Sequence, residues 1–182
     1  MILATNVAPS LAGPFLATCA LLVIAGAGKV AHPGPARTAA HAAGIRVSRS
    51  GIVVFGFVEI SAGVAGTLVG GRAAVVVAAC YVVLTAVAVA LLIRAPATPC
   101  ACLGSSSAVV TRTHLALNVA AGAFAVAFAA AGGGSPLAVL SDQWFAGVVI
   151  AVLAVCSVRL AMLVLETLPE VTAAIQEGQP ST

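Results

Sequence analysis

Two cysteines lie two residues apart in the segment Pro99-Cys100-Ala101-Cys102-Leu103-Gly104. Thiol–disulfide exchange requires an accessible sulfur whose thiolate is stabilised by nearby positive charge, and Arg94 or Arg112 could supply that charge. A disulfide between these cysteines needs a bent backbone, which the Pro, Ala and Gly of the segment permit. Such a small ring would be strained and therefore relatively oxidising. The spacing favours a redox dithiol.

The same two cysteines have two other interpretations. Two thiolates also suit a soft metal such as Cu(I) or Zn²⁺, and further ligands would then be needed, with His114 the nearest. Alternatively, Cys100 and Cys102 are incidental residues of a polar loop. Cys19, Cys80 and Cys156 lie singly within apolar runs, where cysteine usually acts as a small buried hydrophobic residue, and we predict that role for all three.

Glu59 lies near the middle of an apolar segment, and a carboxylate at that depth marks a functional site by default. Its helical face is shared with glycines at alternating spacings of three and four residues. Small residues on one face form a helix-packing surface, so Glu59 should point into a helix bundle. Lys29 is its candidate partner. The alternative is a structural polar clamp between helices. The face comprises Gly56, Glu59, Gly63, Gly66 and Gly70.

His114 and Asn118 share one face at the start of a later apolar segment, which follows Arg112 and the cysteine segment. His114 could carry protons, and Asn118 could hydrogen-bond across to another helix. We group these three residues with Lys29 as a polar core or proton relay. The alternative for His114 is a simple solvated residue at the membrane interface.

The composition requires lipid as the main solvent. Of the 182 residues, 62% are hydrophobic and 7% are charged, with a mean hydropathy of +1.18, whereas about 25% of a soluble domain is charged. The eight basic residues are scattered, which argues against nucleic-acid binding. We predict an all-α, polytopic transmembrane bundle with five spans of sufficient length: Leu11–Val30, Ile52–Val69, Ala73–Ile93, Leu115–Ala131 and Phe145–Leu165.

The connections predict the topology. Gly70-Gly71-Arg72 should form a tight turn, and a short interfacial helix should lie between Pro35 and Gly44. Seven basic residues fall on one side of a five-helix arrangement and only Arg72 falls on the other. By the positive-inside rule the N-terminus is then outside, and the C-terminus and the cysteine pair are cytoplasmic. The seven are Lys29, Arg37, Arg46, Arg49, Arg94, Arg112 and Arg159.

Together these features resemble the MauE/DoxX family of redox-associated membrane proteins. The resemblance covers about residues 10–131 and rests on four elements, of which the cysteine segment is the most specific. They are the first-helix segment Ala25–Pro33, Glu59 followed by Ser61 and Gly63, the Cys100–Gly104 loop, and the fourth helix bearing Asn118.

The resemblance implies a four-helix membrane core over residues 10–131, and a fifth helix over 143–165 fits the MauE branch. The residues from Glu166 predict a short acidic soluble tail over 166–182. It implies that Cys100 and Cys102 are the redox pair and that Glu59 and Lys29 form the polar core. MauE members are implied in maturing a disulfide-rich subunit during methylamine utilisation, alongside a thioredoxin-like partner, and DoxX relatives are linked to quinone chemistry. We expect a protein of the bacterial inner membrane, although a periplasmic client conflicts with the cytoplasmic cysteines of the charge count.

Three hypotheses about function follow. The first is thiol–disulfide exchange through Cys100 and Cys102, with a quinone as a further acceptor. The second is a non-enzymatic assembly subunit that binds a partner helix through the Gly and Glu59 face. The third is a small carrier for a metal or solute, against which the absence of an inverted repeat in the sequence argues.

Overall fold

The computed structural model describes residues 4–96, 98 and 110–138, together with Cys156 and Leu160. The described residues form α-helices joined by short connections, with no strand among them, so the predicted all-α class is confirmed. The helices are α1 (Ala4–Ala31), α2 (Pro33–Ala42), α3 (Arg49–Val69), α4 (Arg72–Arg94) and α5 (Arg112–Ala130).

Four helices are long and apolar enough to cross a membrane, and they match the first four predicted spans to within a few residues. They cover Ser10–Ala31, Arg49–Val69, Arg72–Arg94 and Arg112–Ala130. These segments make the chain an integral membrane protein. The predicted fifth span and the acidic tail lie outside the described residues, apart from Cys156 and Leu160.

The four spans form an antiparallel bundle. Helix α1 packs on α3 and α5, and α4 also packs on both of these helices, so that each span is antiparallel to its two neighbours. The stacked rings of Phe15 and Phe128, with centroids 4.2 Å apart, join α1 to α5. The buried Tyr81 hydroxyl of α4 donates a hydrogen bond of 2.8 Å to the Thr18 carbonyl of α1.

The isolated cysteines do not all behave alike. Cys19 and Cys80 are buried, as predicted, whereas Cys156 is exposed. The prediction for Cys156 is therefore wrong. An apolar run shows only that a helix is apolar on every side, and in lipid an apolar residue can face outward at little cost.

Glycines allow the backbones of α1 and α3 to approach closely. A Cβ atom added at Gly56 would lie 2.8 Å from the Gly26 carbonyl oxygen, and one at Gly63 would lie 2.7 Å from that of Cys19. Real Cβ atoms do not approach other atoms so closely, so only glycine fits at these positions. The predicted packing stripe is confirmed for Gly56, Gly63 and Gly66, which contact α1 of the same chain, whereas Gly70 contacts Gly134 and Pro136 instead.

Two connections hold the ends of the bundle. Gly70 and Gly71 have φ values of +64° and +48° and form the predicted tight turn between α3 and α4. At this end the Gly71 amide donates a hydrogen bond of 2.8 Å to the Gly133 carbonyl oxygen. At the opposite end, α2 is the predicted short helix, and the Arg94 guanidinium donates to the Ala43 carbonyl at 3.0 Å. This positive charge suits the carboxyl end of α2.

We expect Gly56→Ala to destabilise the bundle by about 1–3 kcal/mol, because its methyl group would force α1 away from α3. Gly34→Ala is the matched control, since a Cβ atom at Gly34 meets nothing within 4 Å. The measurement is the thermal unfolding of the purified chain in detergent. Equal unfolding temperatures for the two variants would show that the close contact of α1 with α3 contributes little.

Candidate functional site

Lys29 and Glu59 form an ion pair inside the bundle. The Lys29 Nζ atom donates a hydrogen bond of 2.9 Å to Glu59 Oε1 and lies 2.8 Å from Oε2. The exposed fraction of Glu59 is 0% and that of Lys29 is 5%. The structure therefore brings together the two residues predicted as a polar core. Lys29 lies two residues before the end of α1 and could have extended to the interface, but its side chain turns inward instead.

The glycines and the charged residues of this site have matching positions on two helices. Gly26 and Lys29 are three residues apart on α1, as are Gly56 and Glu59 on α3. Because the helices are antiparallel, Gly26 lies against the Glu59 Cβ atom and Gly56 lies against that of Lys29. Each glycine leaves room for the charged side chain of the opposite helix. The close backbone contact and the ion pair are thus parts of one arrangement.

The surroundings of the pair are mostly apolar. The Lys29 Nζ atom lies 5.8 Å from the centre of the Phe55 ring, within the range of a cation–π contact. Glu59 Oε2 is buried without a hydrogen-bond partner among the described residues, although it touches the ammonium group. Charges in such a place are stable mainly as a pair, because either one alone carries a large desolvation cost.

The chemistry open to this site is narrow. The Nζ–Oε1 hydrogen bond would allow the proton to move from the ammonium to the carboxylate with little motion of heavier atoms, and both residues would then be neutral. In either state the pair has no net charge. The apolar interior of a helix bundle can hold such a neutral pair permanently. The geometry therefore agrees with the predicted structural polar clamp between helices as well as with a proton-carrying role.

His114 belongs to the start of α5 and closes its first turn. Its Nδ1 atom lies 2.9 Å from the Thr111 hydroxyl oxygen and accepts a hydrogen bond of 3.3 Å from the Thr111 amide. The His114 amide in turn donates to the Thr111 hydroxyl oxygen at 3.4 Å. This is a reciprocal capping box. The histidine is buried, with 5% exposed, so the solvated interpretation is wrong.

The other predicted polar residues of α5 are less enclosed. Asn118 is half-buried and Arg112 is exposed at the first position of α5. No role was predicted for Thr111 from the sequence, although a threonine three residues before a side-chain acceptor is a recognisable helix-cap signal. The hydrogen bond of Tyr81 was not predicted either, because the sequence around a single tyrosine in an apolar helix does not indicate which residue its hydroxyl contacts.

The cysteine pair itself cannot be added to this geometry, because Cys100 and Cys102 lie outside the described residues. Within the part of the chain that the structure describes, no three His, Cys, Asp or Glu side chains are grouped so that they could hold a metal ion. The predictions of a redox dithiol and of a metal pair at these cysteines both stay predictions.

The fold and the ion pair define an all-α integral membrane protein with a charged pair buried between two of its spans. Comparison with known proteins gives no more specific class, since no family model, curated protein or solved structure matches this chain. The resemblance to the MauE/DoxX family therefore stays a prediction.

We expect Lys29→Met and Glu59→Leu each to destabilise the chain by about 3–5 kcal/mol, because each removes the opposite charge that balances the remaining buried one. The double variant should lose much less than the sum of the two, since it buries no charge. The measurement is a double-mutant cycle on unfolding in detergent. Additive losses would mean that the two side chains do not interact in the membrane protein.

Proposed function

We propose that this chain is a membrane-bound thiol–disulfide exchange protein, of the kind that the MauE/DoxX resemblance implies, with Cys100 and Cys102 as its redox pair. The observation that carries the proposal is the pair itself, two residues apart in a connection between two membrane spans. That connection follows α4 and precedes α5, which pack against each other. Its two ends therefore lie at the same end of the bundle.

Positive charge at that end supports the proposal. Arg112 is exposed at the first position of α5, and the amino end of a helix also carries partial positive charge. Both would favour the thiolate form of a cysteine brought near them, and the thiolate is the attacking species. Arg94 is less available for this role, because its guanidinium donates to the Ala43 carbonyl.

The exchange itself balances within a pair of proteins. A thiolate of the partner attacks the Cys100–Cys102 disulfide and forms a mixed disulfide, which the partner's second thiol then resolves. The partner gains a disulfide and the pair becomes two thiols, so that two electrons and two protons pass from the partner to the pair. The proposed partner is a thioredoxin-like protein, and a quinone would take the two electrons and two protons from the dithiol, becoming a quinol and restoring the disulfide.

The assembly-subunit hypothesis would need a helix face that the bundle already uses for its own packing. Gly56, Gly63 and Gly66 are buried, and α1 covers them within the chain. Glu59 is fully buried against Lys29. A partner helix could reach this face only by displacing α1, so we do not propose the Gly and Glu59 face as a binding surface.

The distribution of basic residues supports an orientation. Lys29, Arg46 and Arg94 lie near the end of the bundle where α1 and α4 end and α3 and α5 begin, whereas Arg72 lies at the other. By the positive-inside rule we propose that the end with Lys29, Arg46 and Arg94 faces the cytoplasm of a bacterium, that the chain lies in the inner membrane, and that its N-terminus is outside. The cysteine connection would then be cytoplasmic.

We expect Cys100 and Cys102 to form a reversible disulfide in intact cells. Free thiols are trapped with an impermeant and then a permeant maleimide, with and without a reductant, and the labelled peptides are identified by mass spectrometry. The pair should become labelled only after reduction. If only the permeant reagent labels the reduced cysteines, they face the cytoplasm, as proposed. If the impermeant reagent labels them, they face the outside and the proposed orientation is wrong.

The matched control is Cys80→Ala, which removes a buried cysteine remote in sequence from the pair and should leave the reversible change intact. Cys100→Ser should leave Cys102 permanently labelled. If both cysteines stay free under oxidising and reducing conditions alike, the exchange mechanism is excluded.

A further inference from the structure

An exposed basic surface lies at the end of the bundle that carries α2. Three arginines form it, and their side chains are all exposed: Arg37 of α2, Arg46 of the connection to α3, and Arg49 at the first position of α3. None of the three forms a hydrogen bond or an ion pair with another described residue. Their guanidinium groups are therefore available to a ligand. We call these residues the α2–α3 basic surface, and the proposed exchange reaction makes no use of it.

The connection from α2 to α3 is folded back against α2. The His41 Nε2 atom lies 3.1 Å from the Val47 carbonyl oxygen, so that the residue next to Arg46 is held against the exposed face of α2. Arg37 precedes His41 by four residues and shares that helical face. The first residue of α3 follows Val47 by only two positions. The three arginines therefore belong to one continuous surface.

The positive charge of this surface is not balanced within the described part of the chain. Glu59 is the only acidic residue there, and it is fully buried against Lys29. Arg94 and Arg112 lie at the same end of the bundle and add to its positive potential. A surface with charge of one sign and no counter-charge nearby attracts anions.

Exposed isoleucines mark the depth of this surface in the membrane. Ile93 is 76% exposed and directly precedes Arg94, and Ile45 is 46% exposed and directly precedes Arg46. In a membrane protein such isoleucines face hydrocarbon, and the arginines beside them extend to the headgroup layer. The Arg94 guanidinium donates to the Ala43 carbonyl at 3.0 Å, so the end of α2 lies at the level where α4 ends. The basic surface therefore lies at the level of lipid phosphates.

We propose that the α2–α3 basic surface binds the headgroups of anionic membrane phospholipids through Arg37, Arg46 and Arg49. Guanidinium groups donate pairs of hydrogen bonds to phosphate oxygens, and basic clusters next to a membrane span favour anionic lipids. A zwitterionic headgroup carries its own cation, which cancels most of this attraction. The proposal depends neither on the cysteine pair nor on which side of the membrane this end faces.

The test is native mass spectrometry of the purified full-length chain in detergent, with equal amounts of phosphatidylglycerol and phosphatidylcholine. We expect at least about fivefold more bound phosphatidylglycerol, which corresponds to the contribution of about one basic residue near an anionic lipid surface. The variant Arg37→Gln/Arg46→Gln/Arg49→Gln should bind the two lipids equally. Equal binding by the unaltered chain, or an undiminished preference in the triple variant, would overturn the proposal.

Arg72→Gln is the matched control for Arg46→Gln, because each removes one exposed arginine and Arg72 lies at the opposite end of the bundle. Arg46→Gln should lower the preference for phosphatidylglycerol, and Arg72→Gln should leave it unchanged. Equal losses in these two variants would mean that the net charge of the chain attracts the lipid, and that this surface does not select it.

Residues 166–182 of the same chain are the competing anionic occupant, since they contain three glutamates and no basic residue. In the full-length chain, Glu166→Gln/Glu170→Gln/Glu177→Gln removes these charges. We expect the lipid preference of this variant to equal that of the unaltered chain. An increase of about fivefold or more would show that the acidic segment occupies the surface in place of lipid, and the proposal would be wrong.

Discussion

The structure depends on a lysine and a glutamate that lie next to each other where neither charge could be stable alone. Their atoms are 2.8–2.9 Å apart in the interior of a bundle that lipid surrounds. A buried ion pair of this kind adds little net stability over an apolar pair, but the loss of either partner is costly. Its main effect is on specificity, since any shift of α1 along α3 would separate the charges.

The packing of the bundle follows from this constraint. Gly26 and Gly56 must lack side chains, because a Cβ atom at either position would lie 2.5–2.8 Å from the carbonyl oxygen of the other, next to the charged residue of the opposite helix. The register of α1 with α3 therefore suits both the glycine contact and the ion pair. Arg94 and Arg112, which flank the cysteine connection, lie at the same end of the bundle as α2.

Much of this architecture could be predicted from the sequence. The four spans follow from length and hydropathy, and the spacing of Gly56, Gly63 and Gly66 indicates a packing face with Glu59 on it. The sequence did not decide which helix covers that face. Nor did it decide the direction of Lys29, because a lysine near a helix end can reach either the interface or the interior. The capping role of His114 depends on Thr111 and on the local path of the chain, which hydropathy does not describe.

Exchanging the two charges tests most directly whether their attraction sets the register of α1 and α3. Lys29→Glu alone would place two carboxylates together and Glu59→Lys alone two ammonium groups, and we expect neither variant to yield a folded chain in detergent. The double variant Lys29→Glu/Glu59→Lys restores an opposite pair at the same position. Recovery of monodisperse protein with an unfolding temperature near that of the unaltered chain is the predicted result. A double variant no better than either single variant would contradict the claim that attraction between these charges sets the register of α1 and α3.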